Sequence, residues 1–274
     1  MMKIPVLFQY LAAAGFALLA GCGGGEPMPG VGPLEPDTDE HVYDIRVPAD
    51  CDFEEDYQLV IAFHDNGQSE KQVLDWWDRG MFGSADFILL VLRAPFLGQT
   101  GYAWLPRDAD PGSDTARVAA ARTAEELVEI ALDAVVAEYT IDEEDIILLG
   151  TGTGTDIALW MALTDPWLYD GLALLDGTGI PGWVPGVRPA NAGHLDVFIA
   201  AAPGAETVAT ATGERFESAG ALVEVHTGTA GRHDDADALG AMARFFSLSF
   251  GGQGIETGEP DTLPEGEYEE DIEP

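Results

Sequence analysis

The sequence predicts an α/β sandwich of three layers with a mostly parallel central sheet. Three observations carry that prediction. Short apolar runs bounded by polar or glycine positions recur from residue 41 to residue 226. Stretches long enough for helices lie between most of them. Two-residue hairpin turns are not the dominant signal, which argues against an all-β domain. Strands buried on both faces read as continuous apolar runs, as these do.

His41–Val47 reads as the first strand and Leu59–Phe63 as the second. Phe87–Arg93 follows. Arg117–Tyr139 is the clearest helix, because Val118, Ala121, Leu127, Ile130, Leu132, Val135 and Val136 give it a broad apolar face. Ile146–Leu149 is a strand, preceded by Asp142–Asp145 (DEED), which reads as a solvated loop and the start of a strand. Thr155–Leu163 is helical. Gly171–Leu175, Leu195–Ala200 and Leu222–His226 repeat the strand character, with helices over Ala209–Ala219 and Asp235–Leu248. The tryptophans at 76, 77, 160, 167 and 183 read as packing residues, and Trp104 as a pocket wall or core ring.

The ends differ from this core. Residues 1–21 carry one lysine, Lys3, before an apolar run from Ile4 to Ala20. That is a signal-peptide pattern, short for a permanent span. Residues 22–40 are rich in Gly, Pro and acid and read as a flexible tether. Residues 251–274 hold nine acidic residues and no basic one, a composition expected to stay disordered. Residues 41–250 then form one domain. Leu19-Ala20-Gly21-Cys22 resembles the lipobox of bacterial lipoproteins. The resemblance implies a mature N-terminus at Cys22 with acyl chains holding the domain on a membrane. Gly23 after the cysteine, where Asp would stand otherwise, leans towards the outer membrane or cell surface.

The chain of 274 residues has 12 Lys+Arg against 49 Asp+Glu, a formal charge of −37. Such a surface is wrong for nucleic acid, where lysine and arginine supply most of the affinity. Loss of Lys3 with the signal peptide leaves Lys71 as the remaining lysine and a net −38. Depletion of this kind is expected of a protein built for high salt, where screening shortens the repulsion between carboxylates. With Cys22 acylated, Cys51 has no partner within the chain and should be a buried or half-buried thiol. No calcium-loop spacing and no His-x-x-x-His pair occurs, so no metal is expected. The run Gly150-Thr151-Gly152-Thr153-Gly154-Thr155 lacks the third glycine of a dinucleotide loop and the lysine of a phosphate loop, so no nucleotide cofactor is expected either.

That same run follows a strand and opens a helix, the context of a nucleophile elbow. Strand and helix approach closely in such a turn, so the positions two before and two after its centre must be small. Gly150 and Gly154 stand there. The central residue is Gly152, which has no side chain to attack with.

Residues 42–248 resemble the phospholipase/carboxylesterase branch of the α/β-hydrolases, and secreted polyester depolymerases and feruloyl esterases look similar. The resemblance rests on five pieces in order. They are Val60–Gly67 as strand and His-Gly oxyanion loop, Gly101-Tyr102-Ala103-Trp104 ahead of the long helix, and Ile141–Thr155 ending in the elbow. Val197–Val208 resembles the loop of the catalytic acid, and Gly231-Arg232-His233-Asp234 that of the catalytic histidine. It implies a nucleophile position at Gly152, an acid at Glu206 in place of the usual aspartate, and a base at His233. The acid loop also aligns one position differently. The implied oxyanion donors are the backbone N–H groups of Asn66 and Thr153. Asp65 stands where the family has glycine, and its charge should oppose acyl transfer unless it points away. His64 reads as structural.

Without a hydroxyl at 152 no acyl-enzyme forms there. The first expectation is therefore a catalytically impaired hydrolase relative that binds a small ester, lipid or glycan or acts as a scaffold. An alternative is an esterase with a rearranged nucleophile, using Thr151, Thr153 or water activated by His233. A plain binding module is the third.

Overall fold

The computed structural model describes residues 42–48, 51–52, 55–79, 87–177, 179–227 and 236–249. Seven strands form the central sheet: β1 (Tyr43–Arg46), β2 (Asp56–Phe63), β3 (Phe87–Leu92), β6 (Thr140–Thr151), β7 (Gly171–Leu175), β8 (Asp196–Ala200) and β9 (Leu222–His226). The two-residue strands β4 (Phe96–Leu97) and β5 (Tyr102–Ala103) form a separate small ladder. The sheet runs β1-β3-β2-β6-β7-β8-β9, with β1 antiparallel to β3 and every other neighbouring pair parallel.

Helices cover both faces. Leu59, Ile61 and Phe63 of β2 point into one core with α2 (Asp114–Val136), α3 (Gly154–Thr164) and α5 (Glu206–Ala219). Val60 and Ala62 of the same strand point into the other, with α1 (Glu70–Arg79) and α6 (Ala236–Ser249). This alternation is the period-two pleat of a strand buried on both sides, and it makes the three predicted layers.

Several element boundaries follow the sequence reading, and three features depart from it. Helix α1 was not anticipated, although Val73, Leu74, Trp76 and Trp77 occupy one buried face. Trp77 meets Phe87 and Phe246 edge-on or tilted, at 5.5 and 6.1 Å between ring centroids. The strand before the elbow is longer than Ile146–Leu149. Thr140 and Ile141 pair with Asp56 and Tyr57, and pairing resumes at Leu59 with Ile146. The four acids of Asp142–Asp145 therefore face one residue, Gln58, and bulge out of the ladder, which lets carboxylates sit inside a strand. Trp167 is 72% exposed, not packed, and its ring stacks on His194 at 5.4 Å. It follows Pro166 in the turn that leaves α3, outside either core.

Segment 179–188 leads into a four-residue helix, α4 (Pro189–Ala192). Trp183 anchors it by stacking on Trp160 of α3 at 5.7 Å. Cys51 is buried as a reduced thiol. Among the described residues no helix is long and apolar enough to cross a membrane. No group of metal-ligating side chains occurs among them either.

Candidate functional site

The site lies at the carboxyl ends of β2 and β6, where parallel sheets place their ligands. β6 stops at Thr151, and α3 starts at Gly154. Between them Gly152 sits at φ +52°, left-handed backbone that costs an L-residue about 1–2 kcal/mol and glycine almost nothing. Its N–H donates to Leu175 O at 2.8 Å. Gly150 and Gly154 serve close approach, as the elbow reading expects. A Cβ on Gly150 would stand 2.7 Å from Gly154 O, and one on Gly154 would stand 2.8 Å from His64 O.

The loop after β2 is braced by the Gly-Tyr-Ala-Trp stretch. Gly67 N donates to Tyr102 O and Tyr102 N to Gln68 O, both at 2.8 Å. Trp104 Nε1 donates to His64 O at 2.8 Å, and Trp104 N donates to the Asn66 side-chain oxygen at 3.1 Å. His64 is fully buried. Ala94 N donates to its Nε2 at 3.0 Å, so Nδ1 carries the proton and donates to Asp65 O at 2.7 Å. Burial pushes this imidazole's pKa down, which keeps it neutral in a structural role. Below the loop, Glu70 and Arg93 form a buried ion pair, with the Arg93 guanidinium 4.9 Å over the Tyr102 ring.

This bracing fixes two backbone donors, Asn66 N and Thr153 N, the pair assigned to an oxyanion hole. Both donate to the same atom, Oδ1 of Asp65, at 2.8 Å each. The Thr153 hydroxyl adds a third bond to that oxygen at 2.9 Å and itself accepts from Asn66 N at 2.9 Å. A single carboxylate oxygen of Asp65 thus engages both of the backbone N–H groups that the resemblance implies as oxyanion donors. The carboxylate also fills the space of the missing side chain. A Cβ built on Gly152 falls inside contact distance of Asp65 Cγ and both carboxylate oxygens, 2.6 Å from Oδ2. Asp65 is a charge that points in, and Gly152 is what makes room for it.

The other candidate residues have partners of their own. Thr151 is buried, and its hydroxyl faces Phe63 O at 3.4 Å, back into β2. Thr153 occupies the N-cap position of α3 without capping it; Thr155 Oγ1 donates instead to Gly152 O at 2.6 Å. Glu206 opens α5, exposed, with its Oε1 accepting from Gly204 N at 3.0 Å. That N–H and its own hold its pKa below the usual carboxylate value. His233 and the loop around it, like Cys22, lie outside the described residues.

The sequence flagged Asp65 as a misplaced charge, but not as the occupant of the hole. The available signal was the pairing of two departures, an added carboxylate at 65 and an absent side chain at 152, on loops the fold brings together.

No family model matches the chain, and no curated protein matches it in sequence. Solved structures do resemble it. A carboxylesterase from Mesorhizobium loti is 20% identical, with a TM-score of 0.55 over 75% of this chain and 93% of that one. The Bacillus cereus carboxylesterase is 17% identical, at 0.54 over 76% and 94%. A ferulic acid esterase from Anaeromyces mucronatus, solved with ferulic acid, is 15% identical, at 0.55 over 77% and 86%. At such identities the likeness speaks to architecture alone, and with the strand order and the elbow it establishes that this chain has the α/β-hydrolase fold of the esterases.

Proposed function

We propose that the chain is a catalytically impaired α/β-hydrolase-fold protein, held at the cell envelope by acylation of Cys22, whose role is ligand binding or scaffolding. One observation carries the reading: Asp65 Oδ1 takes both backbone donors of the oxyanion hole, beside a glycine at the nucleophile position. An oxyanion hole works by meeting negative charge that develops in the transition state. Here the donors are already engaged by a resident carboxylate, which would also repel an incoming oxyanion. The threonine hydroxyls give no support to a rearranged nucleophile, since one faces Phe63 O and the other donates to Asp65.

The test is reaction of the purified protein in molar NaCl with a serine-directed fluorophosphonate, alongside turnover of short p-nitrophenyl esters. Neither labelling nor hydrolysis above buffer is expected. Stoichiometric labelling within residues 150–155, or ester turnover abolished by His233→Ala, overturns the reading.

A further inference from the structure

The two oxygens of the Asp65 carboxylate are treated differently by their surroundings. Three bonds converge on Oδ1, from Asn66 N and Thr153 N at 2.8 Å each and from the Thr153 hydroxyl at 2.9 Å. These are the hydrogen bonds that the side chain accepts among the described residues, and none of them goes to Oδ2. Oδ2 lies over the centre of the elbow, 2.6 Å from where a Cβ on residue 152 would stand. Asp65 is half-buried, and Asn66 and Thr153 beside it are exposed, so the cluster faces solvent. The loop that carries it is fixed from below, through the buried His64 and its bonds to Ala94 N and Trp104 Nε1.

A carboxylate clamped at one oxygen and unclaimed at the other is a positioned oxygen nucleophile. We propose that Asp65 Oδ2 attacks the sp³ carbon of a primary alkyl halide, an activity beyond ester cleavage. The inference rests on the reading above, in which Asp65 stands at the elbow in place of a side chain at 152. In the first step a lone pair on Oδ2 forms the O–C bond while the C–halogen bond breaks, and the halide leaves with its electron pair. The product is an alkyl ester of Asp65 whose carbonyl oxygen, Oδ1, already accepts from Asn66 N and Thr153 N. In the second step water adds to Cγ, and those two donors meet the charge that develops on Oδ1. The Cγ–Oδ2 bond then breaks, one water proton goes to the departing alcohol, the other goes to solvent, and the carboxylate is restored with one oxygen from water.

The same contacts select the substrate class. An acyl substrate needs oxyanion donors of its own, and Oδ1 holds them. An epoxide needs a proton on its ring oxygen, and the hydroxyl of the cluster, Thr153 Oγ1, already donates to Oδ1. A halide leaves as a stable anion and needs neither.

The test is incubation of the purified protein with 2-bromoacetophenone in molar NaCl made up in ¹⁸O-water, followed by peptide mass spectrometry and by formation of 2-hydroxyacetophenone. A phenacyl ester on Asp65 at early times and ¹⁸O in Asp65 at later times are expected, each about tenfold or more above the exposed Glu206. Asp65→Asn keeps an oxygen for the three donors and replaces the attacking one, so it should remove ester and label and bring product formation down to the buffer rate. Neither ester nor ¹⁸O at Asp65 above Glu206, or equal product formation by Asp65→Asn, overturns the proposal. Fluorophosphonate labelling within residues 150–155 would instead overturn the reading on which it rests, so the two failures are told apart.

Discussion

Replacing Gly152 by serine would put a hydroxyl at the centre of the elbow, and the structure predicts that the substitution on its own destabilises the fold. A Cβ at 152 collides with the Asp65 carboxylate, 2.6 Å from Oδ2 and nearer to the other two atoms. The collision evicts Oδ1 from three donors. Charge-assisted bonds contribute about 1.5–3 kcal/mol each when buried, but this site is partly open and water replaces much of the loss, leaving about 2 kcal/mol. The left-handed backbone adds about 1 kcal/mol for any L-residue. Gly152→Ser should therefore cost about 3 kcal/mol. Asp65→Ala gives up the same bonds without a clash, about 1.5 kcal/mol. In the double variant the serine meets no carboxylate, so the total should be about 2.5 kcal/mol, not the additive value near 4.5. Urea denaturation of the four proteins in molar NaCl measures the coupling, expected at about 2 kcal/mol in favour of the double variant. A coupling below about 0.5 kcal/mol would refute the claim that the carboxylate occupies the side-chain space of residue 152.

Three further outcomes are expected. Burial raises the carboxyl of Asp156, in the first turn of α3, to about 6, partly offset by Arg117. Between its ordinary 3.8 and about 6, the folded chain keeps a proton that the unfolded chain has released, so stability falls through that window as pH rises. Asp156→Asn should consequently be more stable than the parent at pH 7.5, by at most about 3 kcal/mol, and close to equal at pH 4; an equal difference at both pH values counts against it. The melting temperature should rise by about 10 °C or more from 10 mM to 1 M NaCl as the screening length falls from about 30 to 3 Å, and a flat curve rejects salt adaptation. Cys22→Ser should move the protein from the membrane fraction to the soluble fraction, whereas retention in the membrane would remove the anchor from the argument.

The strands and the elbow were legible because their signals are local. Gly171–Leu175 and Leu222–His226 match the observed strands residue for residue; the first is a buried parallel strand that announces itself as a bounded apolar run, whereas the second is the edge strand, with Leu222 and Glu224 exposed. Ser113 and Asp114 extend α2 three residues earlier than its apolar face suggests, the serine accepting from Ala116 N at 3.3 Å as an N-cap. Helix α1 is absent from the sequence reading although Val73, Leu74, Trp76 and Trp77 recur at helical spacing on one buried face, a signal that the sequence does carry. The bulge at Asp142–Asp145 was half legible. The acids read as solvated, but their enclosure within β6 depends on pairing with Asp56 and Tyr57, more than eighty residues away. The filling of the hole was least legible. It depends on a side-chain direction at 65 and on an empty volume at 152, and neither is a property of one segment.

The interlock between Asp65 and Gly152 also bears on descent. A lineage acquiring a hydroxyl at 152 first would lose stability with the donors still crowded by a displaced acid. One discarding the carboxylate first would expose the hole while nothing stood ready to attack. Each single substitution is penalised before it is useful, so the interlock works as a ratchet: placing a side chain at 152 without loss takes a pair of substitutions at sites 87 positions apart.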